Sequence, residues 1–310
     1  MQIKRSALLI ITAVFLFSCS SSDDSIDEIN IEIKYSKPLE ISINGYTNDA
    51  MEPFISPDGT TLFFNSLNDG NNTKLYYATK VNTTTFTFKG ELTGVNEIIP
   101  SQLNAVADLD SNNNFYWTSV RDYPAKRDNL HFGTYSNGTV TNIARVQGDF
   151  YILELGWLLM DHGISYDGTT LYYNNARFDD TVCLGPCETQ IGIAQKTSQG
   201  NFEKTSNSDN ILQNINNANY IYYAPSISKD NLELYYTRYL KNNVNENTVV
   251  EVCIATRTSN NAIFSEPKVL FSNTLDNGII EAPSLTTDKQ FMYYHKKING
   301  LHKIMVRERE

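Results

Sequence analysis

The sequence predicts an all-β fold: a five-bladed β-propeller of four-stranded antiparallel blades, closed by an N-terminal strand that pairs with the last blade. Three observations predict it. A strand–turn–strand segment recurs five times along the chain. A third strand follows each copy in constant register. The last copy ends one strand short, and the segment ahead of the first copy offers the missing strand.

The copies align on a turn aspartate. They read "PFISPDGTTLFFNS" with Asp58, "AVADLDSNNNFYWTS" with Asp110, "HGISYDGTTLYYNN" with Asp167, "PSISKDNLELYYTR" with Asp230 and "PSLTTDKQFMYYHK" with Asp288, spaced 52 to 63 residues apart. Asp-Gly and Asp-Asn suit a tight hairpin because both positions tolerate positive φ. The second strand is aromatic in every copy: Phe63-Phe64, Phe115-Tyr116-Trp117, Tyr172-Tyr173, Tyr235-Tyr236 and Tyr293-Tyr294. Tyr, Phe, Thr and Asn are abundant and long Ala/Leu/Glu/Lys blocks are absent, which favours strands and turns over helices.

The third strands are "LYYATK", "LHFGTY", "IGIAQK", "VCIATR" and "KIMVRE". Their fourth position is Ala78, Gly133, Ala194, Ala255 and Val306, mostly small, which lets neighbouring sheets approach. A polar turn and an aromatic then open a fourth strand in "NTTTFTF", "TSQGNFEK" and "SNNAIFSEP". A single such sheet has two apolar faces and cannot stand alone. Five arranged radially bury those faces against each other. The fifth copy stops after its third strand at Glu310, and "SKPLEISINGYTNDAMEP" parallels "SEPKVLFSNTLDNGIIEAP", the lead into the fifth copy. Residues 31–43 are therefore expected to pair with the last sheet. An open stack would leave sheet edges and apolar faces uncovered.

The segments "SPDGTTLFF", "SYDGTTLYY" and "SKDNLELYY" resemble the PD40 repeat, the WD40-like β-propeller repeat of TolB. The resemblance spans nearly all of residues 31–310, is good in copies one, three and four, and is weakest in the second. It implies a propeller of bacterial envelope proteins, a fold that hosts many functions. The N-terminal domain which the TolB family carries before its propeller has no counterpart here.

The leader precedes this region. Lys4 and Arg5, then an apolar run from Ala7 to Phe17, read as a secretory signal over residues 1–18. The run ends Leu16-Phe17-Ser18-Cys19, which resembles a bacterial lipobox and assigns lipidation to Cys19. The alternative is an ordinary signal peptide with Cys19 incidental. Residues 19–30 are polar and acidic and read as a disordered tether. Ser-Asp-Asp behind the Cys resembles the surface-export signal of Bacteroidetes lipoproteins. The expected location is thus the outer membrane, facing the periplasm or the cell surface, with a lipid anchor as the only contact with membrane.

Loss of Lys4 and Arg5 with the leader takes the net charge from −10 to −12. Such an acidic chain is a poor match for phosphate backbones, so nucleic acid is not an expected partner. Of the four cysteines, Cys183 and Cys187 in "CLGPC" suit a small disulfide loop in an oxidising compartment, and Cys253 is an expected buried thiol.

In a propeller the first strand of each blade lines the central channel. Three carboxylates near the starts of those strands, Glu52, Asp161 and Glu281, are placed to converge on one mouth. Asn104, His162, Tyr223 and Trp157 complete the expected ligand-binding set. Five-bladed glycosidases of the arabinanase and fructosidase type also carry three inner carboxylates. "MEPFISPDGTTLFF" is faintly similar to their opening motif, with Glu where Asp is usual. One carboxyl group must then stay protonated while another is ionised. The bland reading is that these acids bond backbone N–H groups. The repeated turn aspartates Asp58, Asp167, Asp230 and Asp288 are assigned to the turns themselves. Asp108, Asp110 and Asn112 show a D-x-D-x-N pattern suggestive of Ca2+, without the Gly and distal Glu of an EF-hand. No cofactor is otherwise implied, and no metal-ligand spacing, HExxH, G-x-S-x-G or Walker motif occurs. The favoured function is binding of an envelope protein or glycan, with glycoside hydrolysis as the alternative.

Overall fold

The computed structural model describes residues 33–69, 72–96, 102–178, 183 and 185–310. The leader, Cys19 and the tether lie outside the described residues. The chain forms five sheets in sequence order. Blade 1 has Met51–Ile55, Thr61–Asn65, Leu75–Asn82 and Thr85–Glu91 as its strands. Blade 2 has Gln102–Leu109, Asn114–Ser119, Leu130–Ser136 and Thr139–Arg145. Blade 3 has Trp157–Ile164, Thr170–Phe178, Pro186–Lys196 and a short Phe202–Lys204. Blade 4 has Tyr220–Ile227, Glu233–Leu240, Val249–Thr256 and Lys268–Thr274. Blade 5 has Ile280–Leu285, Phe291–Ile298 and Leu301–Glu308, and its fourth strand is Leu39–Glu40 from the start of the domain. The first strand of each blade packs against that of the next, and the fifth against the first. That closed cycle is a five-bladed β-propeller.

The aromatic second strands explain how the blades adhere. Side chains on a strand alternate between faces, so each aromatic pair sends one ring forward and one back. Phe63 enters the core between blades 1 and 2, and Phe64 the core between blades 5 and 1. Tyr172 and Tyr173, Tyr235 and Tyr236, and Tyr293 and Tyr294 split the same way. Five apolar clusters result, one at each blade interface. Most of these rings are wholly buried, and each contributes about 1.5–3 kcal/mol by removal of apolar surface from water. Ala78, Ala194 and Ala255, wholly buried, lie in these clusters.

The turns repeat one hydrogen-bond pattern. Ser56, Ser165, Ser228 and Thr286 each donate to the aspartate two residues on, at 2.5–2.6 Å. The same carboxylate oxygen accepts the backbone N–H of Thr60, Thr169, Leu232 or Gln290. Asp58, Asp167, Asp230 and Asp288 are therefore structural, and these bonds, against the opposing pull of burial, hold their pKa values below the usual carboxylate range.

Three expectations need correction. The second turn is one residue shorter, and Asp110 takes the place of Ser56 rather than of Asp58: its N–H bonds Asn114 O as that of Ser56 bonds Thr61 O. The copy "AVADLDSNNNFYWTS" therefore aligns two residues later than the shared Asp suggests. The closing segment is shorter than residues 31–43. Tyr35 bridges Arg309, Leu39–Glu40 pairs with Met305 and Val306, and Ser42–Asn44 then joins blade 1, parallel to Thr85–Glu91. The segment thus straddles the seam between last and first blade. In blade 4 "SNNAIFSEP" is not strand, because Phe264 turns inward beneath the blade 3–4 interface, and the fourth strand starts at Lys268. In blade 3 "TSQGNFEK" does start the fourth strand, at Phe202–Lys204, and a short helix not expected from the sequence, Ser208–Ile211, follows it.

Candidate functional site

Each first strand carries a ladder irregularity, at the same place in four blades and just ahead of it, between Leu159 and Asp161, in blade 3. In four blades a non-glycine residue there adopts left-handed backbone: Glu52 (φ 49°), Val106 (φ 57°), Ala224 (φ 50°) and Ala282 (φ 58°). Such residues cost about 1–3 kcal/mol each unless the surroundings hold them. Here a side chain of the preceding blade accepts each exposed N–H. Val106 N–H bonds Asn65 Oδ1 (3.4 Å), Ala224 N–H bonds Asp161 Oδ2 (3.2 Å) and Ala282 N–H bonds Thr237 Oγ1 (3.2 Å). Glu52 N–H bonds His295 Nδ1 (3.1 Å) across the seam. The bulges turn the strands at the channel mouth and fix where Glu52, Asp161 and Glu281 sit.

The three carboxylates come together. Glu52 and Asp161 line a central cavity of about 40 Å³, along with Asp108 and His162. Glu281 is close enough to both for its charge to act on them. Their environments differ. Glu52 Oε1 accepts from Asn68 Nδ2 at 2.7 Å and the Val106 N–H faces the carboxyl, whereas Oε2 is buried and completes no hydrogen bond of good geometry among the described residues. Burial, then the charges of Asp161 and Glu281, holds the Glu52 carboxyl well above the usual range. Asp161 is 3% exposed. Burial raises it to about 7, with the Ala224 N–H opposing and Glu281 adding. Burial also pushes Glu281 upward, but His295 and Tyr223 outweigh it and its pKa ends below the usual value. Tyr223 Oη donates to Glu281 Oε1 at 2.5 Å. His295 accepts the Glu52 N–H through Nδ1, so its proton sits on Nε2, 3.1 Å from Glu281 Oε2 but out of line for a straight hydrogen bond. Behind it the His302 ring packs edge-on at 5.4 Å, held by Asp49 at 2.8 Å.

A second cavity lies further along the channel. Ile55, Leu109, Ile164, Ile227 and Leu285, each the residue just before its turn, gather around this cavity of about 50 Å³.

The remaining candidates separate. Asn104 does not reach the mouth: the shift of the second copy puts Val106 at the position of Glu52, and Asn104, 1% exposed, accepts instead from Arg121 Nη2 (3.1 Å). Trp157 opens the first strand of blade 3, opposite Arg177, is buried, and stands outside the lining of the central cavity. His162 lines the cavity, and burial lowers its pKa to about 3, so it is neutral. Asp108 and Asp110 are engaged by the backbone. Asp108 accepts the N–H groups of Leu109 and Ile164, and Asp110 accepts those of Asn112 and Asn114 and the Asn114 side chain. Among the described residues no cluster of metal-ligating side chains occurs. Cys183 and Cys187 are disulfide-bonded, and Cys253 is buried and free. His295, His302, Asp49 and Asn68 escaped sequence reasoning. A signal existed for His295. The residue after each aromatic pair is polar, namely Asn65, Thr118, Asn174, Thr237 or His295, and four of these five bond the next blade.

No protein-family model matches the chain, and no curated protein matches its sequence. Solved structures do match its fold. Zg3597, a family 117 glycoside hydrolase from the marine bacterium Zobellia galactanivorans, aligns over 89% of this chain and 90% of its own at 11% identity, with a TM-score of 0.51. An exo-1,5-α-L-arabinanase from a bovine ruminal metagenomic library aligns over 86% and 94% at 13% identity, with a TM-score of 0.54. TolB from Acinetobacter baumannii aligns over 84% of this chain and 55% of its own at 13% identity, and its TM-score of 0.43 carries no weight. At these identities the likeness concerns the fold alone.

Proposed function

We propose that this protein binds a glycan at the carboxylate mouth of its channel, held at the cell envelope by a lipid on Cys19. One observation carries the reading: Glu52 Oε2 is buried and completes no hydrogen bond at a channel mouth lined by all five blades. An unsatisfied buried oxygen costs about 1–3 kcal/mol. A ligand hydroxyl placed there removes that cost, and sugars are dense in hydroxyls. The cavity of about 40 Å³ holds little more than one water, whose share of liquid volume is about 30 Å³. The sugar ring therefore rests above the carboxylates, with one hydroxyl reaching in.

A second reading, glycoside hydrolysis, is favoured by the opposite displacement of Glu52 and Glu281. A carboxyl kept protonated beside one kept ionised is what acid–base cleavage of a glycosidic bond requires. In that reading Glu52 is the acid and Glu281, oriented by Tyr223, the ionised partner. One experiment tests both. The full chain and the variants Glu52→Gln, Asp161→Asn and Glu281→Gln are titrated calorimetrically with envelope oligosaccharides, and released reducing ends are counted. Binding predicts an affinity about tenfold weaker in Glu52→Gln and no reducing ends from any form. Cleavage by the parent that vanishes in Glu52→Gln and Glu281→Gln establishes the second reading. Glycan binding indifferent to all three substitutions contradicts both.

A further inference from the structure

A cavity of about 520 Å³ lies away from the channel, between blades 3 and 4. It exists because blade 3 departs from the pattern. The fourth strand is cut to Phe202–Lys204 and covers only Ala194–Lys196 of an eleven-residue third strand. The chain then turns into the helix Ser208–Ile211 and a loop running back along the uncovered edge. That loop is fastened by Asn216, whose Nδ2 donates to Ile191 O (2.8 Å) and whose Oδ1 accepts Ile191 N–H (3.4 Å). Ser208 and Thr205 take the N–H and C=O of Ile193. The edge is thereby closed to an added peptide strand at both residues.

The geometry points to a second binding site here, for a short neutral oligosaccharide; this stands independently of the channel mouth. Tyr173 and Tyr222 line the groove, and among the described residues nothing bonds their hydroxyls. Both side chains are fixed. A Cβ on Gly192 would collide with the Tyr173 ring, so only glycine lets that ring lie against the strand. Tyr222 is 4% exposed, its N–H bonded to Thr189 Oγ1 at 3.0 Å. Tyr220, also lining the groove, is braced by the Arg238 guanidinium 4.5 Å above its ring. Fixed tyrosines lose little freedom when a ligand binds. Gln190 and Gln213 add amide groups that both donate and accept. The charged lining is balanced: Glu188 and Asp209 against Lys204 and Lys241, with Lys204 and Asp209 already paired at 2.8 Å. No net charge favours a phosphate, a sulfated chain or a polycation. Hydroxyl-rich, uncharged and a few rings long describes the ligand that fits.

The test uses the full chain and neutral di- and trisaccharides of glucose, galactose, mannose, xylose and N-acetylglucosamine. Glucose 6-phosphate and an uncharged Thr/Val heptapeptide serve as comparisons. Ring resonances of 13C-tyrosine-labelled protein are followed by NMR. At least one neutral saccharide should shift the Tyr173 and Tyr222 signals. Tyr222→Phe, which keeps the ring, and Gln213→Ala should each weaken that binding several-fold. Glu52→Gln should leave it unchanged, which separates this site from the channel mouth. If no neutral saccharide shifts these signals, or if the phosphate or the peptide shifts them more strongly, the assignment is wrong.

Discussion

Asp108 sets the residue-scale logic in its simplest form. It is 6% exposed and accepts two N–H groups, yet burial dominates and its pKa is about 8. A carboxyl raised on folding stabilises the fold fully below its unfolded pKa and loses that contribution as pH rises through the folded one. Asp161, at about 7, acts in the same direction. Glu281, lowered on folding, acts oppositely and stabilises above the unfolded Glu range. Glu52 is raised as well, while His131 and His162, lowered by burial to about 4 and 3, favour the fold increasingly as pH rises to the unfolded His range and so oppose the carboxyls below it. Thermal unfolding should therefore show Tm falling between about pH 6.5 and 8.5, above the unfolded His range, where only the raised carboxyls still hold protons. Asp108→Asn, which keeps an acceptor for Ile164, should flatten that decline. A Tm that rises over this range, or a slope unchanged in the variant, contradicts the assignment. At this scale the sequence showed that Glu52, Asp161 and Glu281 share a mouth-proximal position. It did not show which of them bonds backbone. Asp161 combines both readings, taking the Ala224 N–H while lining the cavity.

Elements were legible where local chemistry repeats and obscure where it does not. Four of the five turns carry Ser or Thr, then Asp two residues later, and those strands fell where the pattern placed them. The second turn lacks that pair. Its Asp110 does the work of the serine, and the shared letter misled the alignment by two residues, so Asn104 was expected where Val106 stands. The helix Ser208–Ile211 is a single turn with no capping side chain and no sequence signal strong enough to override the surrounding strand pattern. The turn motif yields a direct prediction. Ser165→Ala removes the donor to Asp167 and the acceptor for Thr170 N–H (2.9 Å), and should destabilise the protein by about 1–2 kcal/mol in chemical denaturation. No loss of stability would mean that the repeated aspartate holds the turn without its serine.

The whole molecule depends on the seam between blades 5 and 1. There the chain's first described strand meets its last: Arg307 Nη1 donates to Ser36 O at 2.7 Å, Glu308 N–H to Ser36 Oγ at 3.0 Å and Glu310 N–H to Lys34 O at 3.0 Å. Ile41 shares a core with Phe64, Tyr293 and Ile304. A chain lacking residues 1–41 should unfold at lower temperature and bind a hydrophobic dye, because Ile304 and Val306 lose their cover. The same seam carries the chemistry. Glu52 of blade 1 leans on His295 of blade 5 and is raised in part by Glu281 of blade 5. Only a closed ring brings them together. The most direct measurement is a carboxyl-13C NMR titration of glutamate-labelled full-length protein beside its Glu281→Gln variant. The account predicts that Glu52 titrates well above ordinary glutamates and that its midpoint falls when Glu281 loses its charge. A Glu52 midpoint in the ordinary range, unmoved by that substitution, would contradict it.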